Sequence, residues 1–277
     1  MPLVPTGELV AQARIDSHGL GAFNAICLEH AEAIAMGAES AGRPAIIQIS
    51  ENAVKFHRGV LGPLAAACAE VARSSTASLA LHLDHVEDSE LLRQAADFAF
   101  GSVMFDGSTL AYADNVAATR DAVEWGHAHG LWVESELGEV GGKDGAHAPG
   151  VRTDPSQAAA FVAATGVDGL AVAVGSSHAM LDRSAALDHE LIRAIGMAVG
   201  IPLVLHGSSG VPDEELRQAV SSGMVKINIG TALNIGFTGA VRDYLAGDSK
   251  VVDPRKYVAP GREAMAQVVA HFLGVLA

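Results

Sequence analysis

The stretch Leu81-His82-Leu83-Asp84-His85 ends an apolar run on an acid and a histidine, where a strand would stop. Two later stretches behave in the same way. Ala171-Val172-Ala173-Val174-Gly175-Ser176-Ser177-His178 and Ile201-Pro202-Leu203-Val204-Leu205-His206 each carry four or more apolar residues and then a histidine at or near the point where the apolar pattern gives out. Neutral imidazole is a preferred zinc ligand, and a catalytic zinc typically keeps three protein ligands and one open position. Three histidines at three strand ends are therefore a candidate metal site. Any one of them alone reads as a hydrogen-bonded histidine at a strand end; the repetition, with Asp84 beside one of them, favours the metal.

Outward from these stretches the chain repeats one unit. Short apolar, often β-branched segments fall at about 20–26, 45–50, 79–85, 102–106, 131–137, 169–175, 203–207 and 224–229. Between them lie helical patterns, at Leu28 to Ala41, Leu61 to Arg73, Ser89 to Ala99, Ala111 to His129, Pro155 to Thr165, Leu187 to Val199 and Asp213 to Ser222. Near-continuous apolar strands alternating with helices imply parallel pairing with the helices outside. Eight such units predict a single-domain (β/α)8 barrel spanning residues 1–277, a length such barrels commonly occupy as one unit. Asp154-Pro155 offers an N-cap before a proline at the first helical position, and Pro212-Asp213-Glu214-Glu215 supplies acids for a first turn. After the eighth strand the pattern predicts a helical extension, with a helix over Asn234 to Leu245, an irregular stretch over Asp248 to Pro260 and a final helix over Arg262 to Leu276. The glycine-rich run Gly138 to Thr153 follows the fifth strand, and its length and composition predict a mobile active-site loop.

Composition narrows the class of function. Hydrophobic residues make up 49% of the chain, yet no apolar run approaches the roughly 18 residues of a membrane span. The start, Met1 to Gly7, lacks a basic region leading into an apolar stretch, so a soluble, cytoplasmic protein is expected. The only cysteines, Cys27 and Cys68, have no metal-type spacing and read as small buried hydrophobes in a reducing compartment. Any metal must then be held by nitrogen and oxygen. A formal net charge of -14 opposes binding to nucleic acid or anionic membranes. A phosphorylated ligand would have to be captured locally, by backbone N–H groups and a few cations.

In a barrel of this kind functional groups sit at the C-terminal ends of the strands, with a phosphate site commonly built after strands seven and eight. His85, His178 and His206 would end strands three, six and seven around one mouth. Asp84, next to a candidate ligand, occupies a general acid/base position, or else orients a histidine. In Trp132-Val133-Glu134-Ser135-Glu136 the period of two puts both glutamates on one face, where charge is costly unless paired or bound to a cation. Glu136, nearer the strand end, is a candidate metal contact at a second site, and Glu134 reads as structural. His206-Gly207-Ser208-Ser209-Gly210 and Asn228-Ile229-Gly230-Thr231 offer small residues whose N–H groups can approach an anion closely. Lys226 reads either as a Schiff-base nucleophile or as a buried cation balancing nearby carboxylates, and the three histidines favour the second.

At these residues the sequence resembles the class II, metal-dependent ketose-bisphosphate aldolases of the fructose- and tagatose-bisphosphate type. Leu83-Asp84-His85, Glu136 to Gly142, Ser177-His178, Leu205 to Gly210 and Lys226-Ile227-Asn228 match in order, within a resemblance running from Gly21-Ala22-Phe23-Asn24 to Asp253-Pro254-Arg255. The resemblance implies that His85, His178 and His206 bind a catalytic zinc, or another divalent transition metal, and that Asp84 handles the proton on the hydroxyl of the carbon that becomes the aldehyde. It implies that Asn228 takes part in catalysis, and that Ala179, Gly207, Ser208, Ser209, Asn228, Ile229, Gly230 and Thr231 hold the phosphate of the dihydroxyacetone phosphate half. Asn24, Ser50 and Asn234 would meet the distal end of the substrate. It also implies a homo-oligomer, a dimer or tetramer.

Four positions depart from the family pattern. Asp144 stands in the glycine-rich loop where the family places a proton-donating glutamate, and Ala179 follows the second histidine where glycine is usual. Gly230 stands where fructose-bisphosphate enzymes tend to have aspartate, and Asn234 where many relatives have arginine or lysine. The expected activity is reversible cleavage of a ketose 1-phosphate or 1,6-bisphosphate to dihydroxyacetone phosphate and an aldehyde such as glyceraldehyde 3-phosphate. The alternatives are a Schiff-base aldolase using Lys226 and a barrel that binds sugar phosphates without turnover.

Overall fold

Each of the eight apolar segments forms a strand, and the eighth pairs with the first to close a parallel barrel in the order β1 to β8. The computed structural model describes residues 3–137, 151–178 and 180–277. The strands are β1 (Leu20–Asn24), β2 (Ala45–Ser50), β3 (Leu79–Val86), β4 (Ser102–Phe105), β5 (Trp132–Glu136), β6 (Gly169–Ala171), β7 (Leu203–Leu205) and β8 (Met224–Ile229). Around them run α1 (Thr6–Ile15), α2 (Leu28–Ala41), α3 (Glu51–Phe56), α4 (Gly62–Ser74), α5 (Ser89–Arg93), α6 (Tyr112–Ala128), α7 (Pro155–Thr165), α8 (His189–Val199), α9 (Asp213–Ser221), α10 (Thr231–Gly247) and α11 (Pro254–Val275). The expected cap at α7 is present: the Asp154 carboxylate accepts from the Ser156 and Gln157 N–H groups, with Pro155 behind it.

Buried apolar residues fall in two clusters. The larger fills the shell between strands and helices, with Ile47, Leu81, Leu83, Val103, Leu205 and Ile227 from the sheet against Ile34, Phe161, Ile192 and Leu216 from the helices. In the smaller, Leu9, Val10 and Ala13 of α1 pack with Leu20, Ala22, Ile46, Ala80 and Val225. This helix, absent from the sequence reading, therefore meets the apolar lower barrel. The upper barrel is polar, with His82, Asp84, Glu134, Glu136, His206, Lys226 and Asn228 all buried. Ionisable groups removed from water must pair or bind a cation, so this end carries the candidate site.

Three local expectations are corrected. Strand β6 stops at Ala171, so His178 lies on the connection beyond it and not at a strand end. The stretch over 248–260 is not irregular throughout: the Asp253 carboxylate accepts from the Arg255 N–H, Pro254 starts α11, and Pro260 is carried inside the helix. The break that a proline usually imposes is offset by close packing of α11 on α10. A Cβ on the adjoining Gly261 would sit 2.6 Å from the Phe237 ring. The helical pattern over Ser89 to Ala99 continues beyond Arg93 only as a 3-10 turn, Gln94–Asp97.

Candidate active site

Strict alternation along β3 would place Asp84 inside the barrel and His85 on the helix side. The backbone prevents this. The pairing of β3 with β4 shifts register between Leu83 and Val86, and His85 adopts a left-handed conformation with φ 51°. A bulge adds twist and re-aims a side chain, so Asp84 and His85 both reach the barrel mouth, where both line one cavity. The left-handed region is disfavoured for a residue other than glycine, at a cost of roughly 1 to 3 kcal/mol. Surrounding contacts hold it there, including His85 Nδ1 to Asp106 Oδ2 at 2.8 Å and the Asp106 N–H to the Val86 carbonyl at 2.8 Å.

Three imidazoles meet at that mouth. Ring centroids are 5.3 Å apart for His85 and His178, 4.7 Å for His85 and His206, and 5.8 Å for His178 and His206. One ring nitrogen from each lies within 4.8 Å of the others. His206 Nε2 stands 2.9 Å from Glu134 Oε1, and a carboxylate there requires this nitrogen to donate. The buried Nδ1 of His206, which has no hydrogen-bond partner among the described residues, lies 3.5 Å from Glu136 Oε2. In the same way Asp106 fixes the proton of His85 on Nδ1 and leaves Nε2 as a lone pair.

The electrostatics of this pocket favour positive charge. Burial alone would depress the basicity of His206, but the Glu134 and Glu136 carboxylates beside it outweigh this and raise its pKa to about 9. Glu134 is lowered to about 2: burial pushes its pKa up, and Lys226, then His206, overcomes it. Burial likewise opposes ionisation of Asp84, yet His85, His82 and Lys226 hold it well below the usual carboxylate range. Such a donor set, poised to hold a proton among imidazoles and carboxylates, suits a divalent cation in its place. Glu136 is also brought within the same 4.8 Å limit of His85 and Asp106.

The cavity at the mouth has a volume of about 550 Å³. That falls within the roughly 300 to 1,000 Å³ usual for small-molecule sites. Asn24, Ser50, Asp84, His85, His178, Gly207, Ser209, Asn228, Gly230, Thr231 and Asn234 all line it. Ser208 and Ile229 do not: the Ser208 hydroxyl is spent on the Leu205 carbonyl, and Ile229 belongs to the shell core. Gly207 has φ 68°, and a Cβ there would collide with the Ser177 carbonyl, so the turn after β7 requires glycine. Ser50 also serves the fold, accepting from the Ala53 N–H at the start of α3. The positions of Asp144, Ala179 and most of the glycine-rich loop lie outside the described residues.

Lys226 is wholly buried and does not line the cavity; its Nζ is 2.8 Å from Glu134 Oε2 and donates to Asn228 Oδ1 at 2.9 Å. Lys55 is the one Lys or Arg among the described residues lining the cavity, and it is paired with Glu51 at 2.7 Å. Arg255 lies elsewhere, 89% exposed and paired with Asp253. Sequence reasoning missed Asp106, although it ends the fourth apolar segment as Asp84 nearly ends the third. It also missed His82, whose Nδ1 meets the Ser102 hydroxyl at 2.7 Å beneath Asp84.

A family model described as fructose-bisphosphate aldolase class-II matches residues 4–277. The chain belongs to this class II aldolase family. Fructose-bisphosphate aldolases of Staphylococcus aureus and Geobacillus stearothermophilus are 36% and 39% identical to it over 274 residues, covering 97% of this chain and 95% of theirs. The crystal structure of the YdjI aldolase from Escherichia coli K12 superposes with a TM-score of 0.85 at 28% identity, over all of this chain and 98% of that one. Membership makes this chain a carbon–carbon lyase of carbohydrate metabolism, and the family is metal-dependent. No helix among the described residues is long and apolar enough to cross a membrane.

Proposed function

We propose that this aldolase reversibly cleaves a ketose 1-phosphate or 1,6-bisphosphate, of the fructose or tagatose type, to dihydroxyacetone phosphate and an aldehyde such as glyceraldehyde 3-phosphate. The observation that carries the reading is the convergence of three imidazoles beside a buried, ionised carboxylate in a cavity of sugar-phosphate size. His85, His178 and His206 would hold a zinc ion, with Glu136 and Asp106 available at a second position. When bound, such an ion supplies Lewis acidity, stabilising the negative charge that develops as the carbon–carbon bond of a β-hydroxy ketone breaks.

The chain's own groups supply the rest. Asp84 removes the hydroxyl proton of the carbon that becomes the aldehyde; its Oδ2 is steadied by the Asn24 amide at 3.4 Å, and its Oδ1 has no hydrogen-bond partner among the described residues. Lys226 occupies Asn228 Oδ1 and so leaves the Asn228 amide hydrogens for substrate oxygen. Gly207, Ser209, Gly230 and Thr231 would bind the phosphate, with the N-terminus of α10 behind them. Asp144 would return a proton to the carbon of the three-carbon product. We place the enzyme in the cytoplasm as a dimer or tetramer.

The distal end is recognised without the charge that many relatives bring. A Cβ at Gly230 would lie 2.7 Å from Asn24 Oδ1, which is itself held by Gln48 at 2.9 Å, so an aspartate there requires Asn24 to move. Asn234 offers no cation for a second phosphate, and a charge-assisted bond contributes on the order of 1.5 to 3 kcal/mol, or roughly 10- to 100-fold in selectivity. Fructose and tagatose bisphosphates should therefore be cleaved with similar efficiency, and a ketose lacking the distal phosphate accepted unusually well. Turnover of a panel of ketose phosphates, with metal content measured on the same sample, tests this. A thousandfold or greater preference in kcat/KM for fructose 1,6-bisphosphate over both tagatose bisphosphate and fructose 1-phosphate would show that another cation, Lys55 or one from a neighbouring subunit, reads that end.

A further inference from the structure

Asn234 is the first side chain of a short polar chain running away from the cavity. Its Oδ1 is 3.3 Å from His30 Nε2, and His30 Nδ1 is 3.1 Å from Cys27 Sγ. Cys27 precedes α2 and His30 lies in its first turn, while Asn234 lies in the first turn of α10. The His30 ring is 5% exposed and is tilted over Phe237, with centroids 6.0 Å apart. Phe237 follows Asn234 by three residues, so both project from one face of α10 toward the same imidazole.

The direction of each hydrogen bond follows from which atoms hold protons. Burial lowers the basicity of His30, so its ring is neutral at pH 7 and carries one N–H. Burial, with Glu29 nearby, raises the pKa of Cys27 to about 11, which keeps the sulfur as S–H. A thiol S–H donates to Nδ1, and the single imidazole proton is then on Nε2. That N–H donates to an oxygen, which fixes the Asn234 carbonyl on the His30 side. An amide held by its oxygen turns both N–H groups outward.

The geometry points to Cys27 and His30 as positioning residues that lock the Asn234 amide with its N–H groups toward the distal end of the substrate. The inference rests on reading the cavity as a ketose-phosphate site. Two neutral donors in a fixed orientation suit hydroxyl or phosphoryl oxygen at that end. A freely turning amide would present its carbonyl part of the time, and a carbonyl repels phosphoryl oxygen. The device offers orientation in place of charge at the Asn234 position.

Steady-state cleavage of fructose 1,6-bisphosphate by the metal-loaded enzyme tests it, alongside proton exchange on dihydroxyacetone phosphate, which does not reach the distal end. His30→Leu should raise KM roughly tenfold, the scale of a hydrogen bond to a charged group, with kcat and proton exchange within twofold of wild type. His30→Gln, whose amide N–H reaches the place of Nε2, should restore most of the loss. Asn234→Ala should match His30→Leu, and the double variant should be no worse than Asn234→Ala alone. Asn234 is exposed, so Asn234→Asp provides a check that does not depend on refilling the buried histidine site; it keeps an oxygen for His30 but loses the donors, and should raise KM as Asn234→Ala does. Additive losses in the double variant, a parallel fall in proton exchange, or Asn234→Asp with wild-type KM would overturn the proposal. Absence of cleavage by the wild-type enzyme would instead remove the functional reading beneath it.

Discussion

Replacing Lys226 by methionine removes the cation that most strongly holds Glu134 ionised inside the barrel. Both side chains are 0% exposed, so water cannot compensate. Moving a carboxyl from an ordinary value of 4.5 to about 2 corresponds to roughly 3 kcal/mol, and leaving one partner of a buried pair uncompensated costs about 3 to 5 kcal/mol. At roughly 2.1 cal/mol/K per residue, a chain of 277 residues has an unfolding entropy near 0.6 kcal/mol/K, so Tm should fall by about 5 to 9 °C. The sign with pH follows from the lowered pKa of Glu134. Its stabilisation is complete above about pH 4.5 and is lost as pH falls toward 2, so the gap between wild type and Lys226→Met should narrow below pH 4.5. Calorimetry of the metal-loaded proteins from pH 7 downward measures both effects. Lys226→Met/Glu134→Gln should recover most of the loss, because the amide keeps an acceptor for His206 without a stranded charge. A double variant as unstable as the single one would refute the electrostatic argument and place the loss in packing.

Other outcomes follow from the same geometry. Chelation should abolish cleavage and added zinc restore it, while borohydride with substrate should trap nothing; an adduct on Lys226, or activity in a demonstrably metal-free sample, would revive the Schiff-base alternative. Asp84→Ala should keep its metal and lose cleavage by roughly 10²- to 10⁴-fold, whereas Asp106→Ala should weaken metal binding by about 10- to 100-fold; metal analysis beside activity separates the two, and metal loss in Asp84→Ala would make that residue an orienting one. His206→Ala should remove most of the bound metal. Gly207→Ala should lower stability by about 2 kcal/mol or more, because alanine is disfavoured at φ 68° and its Cβ meets the Ser177 carbonyl; an unchanged Tm would show that the turn can relax.

Strand positions were legible because the buried sheet writes itself as apolar runs, and β2 and β8 occupy the residues the pattern predicts, 45–50 and 224–229. The convergence of His85 and His206 was legible for a related reason, since both fall where such a run ends. His178 was located by composition but not by geometry: its strand stops at Ala171, and loop backbone carries it the remaining distance. Asp106 was missed because its partnership with His85 crosses from one strand to the next, and a linear pattern does not encode which neighbours touch. Helix α1 escaped because its pattern is weak, and its burial against Leu20, Ala22 and Ile46 is a tertiary fact. Pro260 misled for a physical reason, since the packing of α10 on α11 compensates a break that the local sequence announces.

The irregular backbone at His85 bears on how such a site is transplanted. Copying the three histidines onto a regular eight-stranded barrel would leave one of them facing the outer helices, because an ideal pleat sends neighbours in opposite directions. The portable unit is then not a set of residue names but a dipeptide with its misaligned ladder and the Asp106 clamp that holds it. A designer who regularised that strand to gain stability would erase the convergence of the three rings while every histidine remained in the sequence.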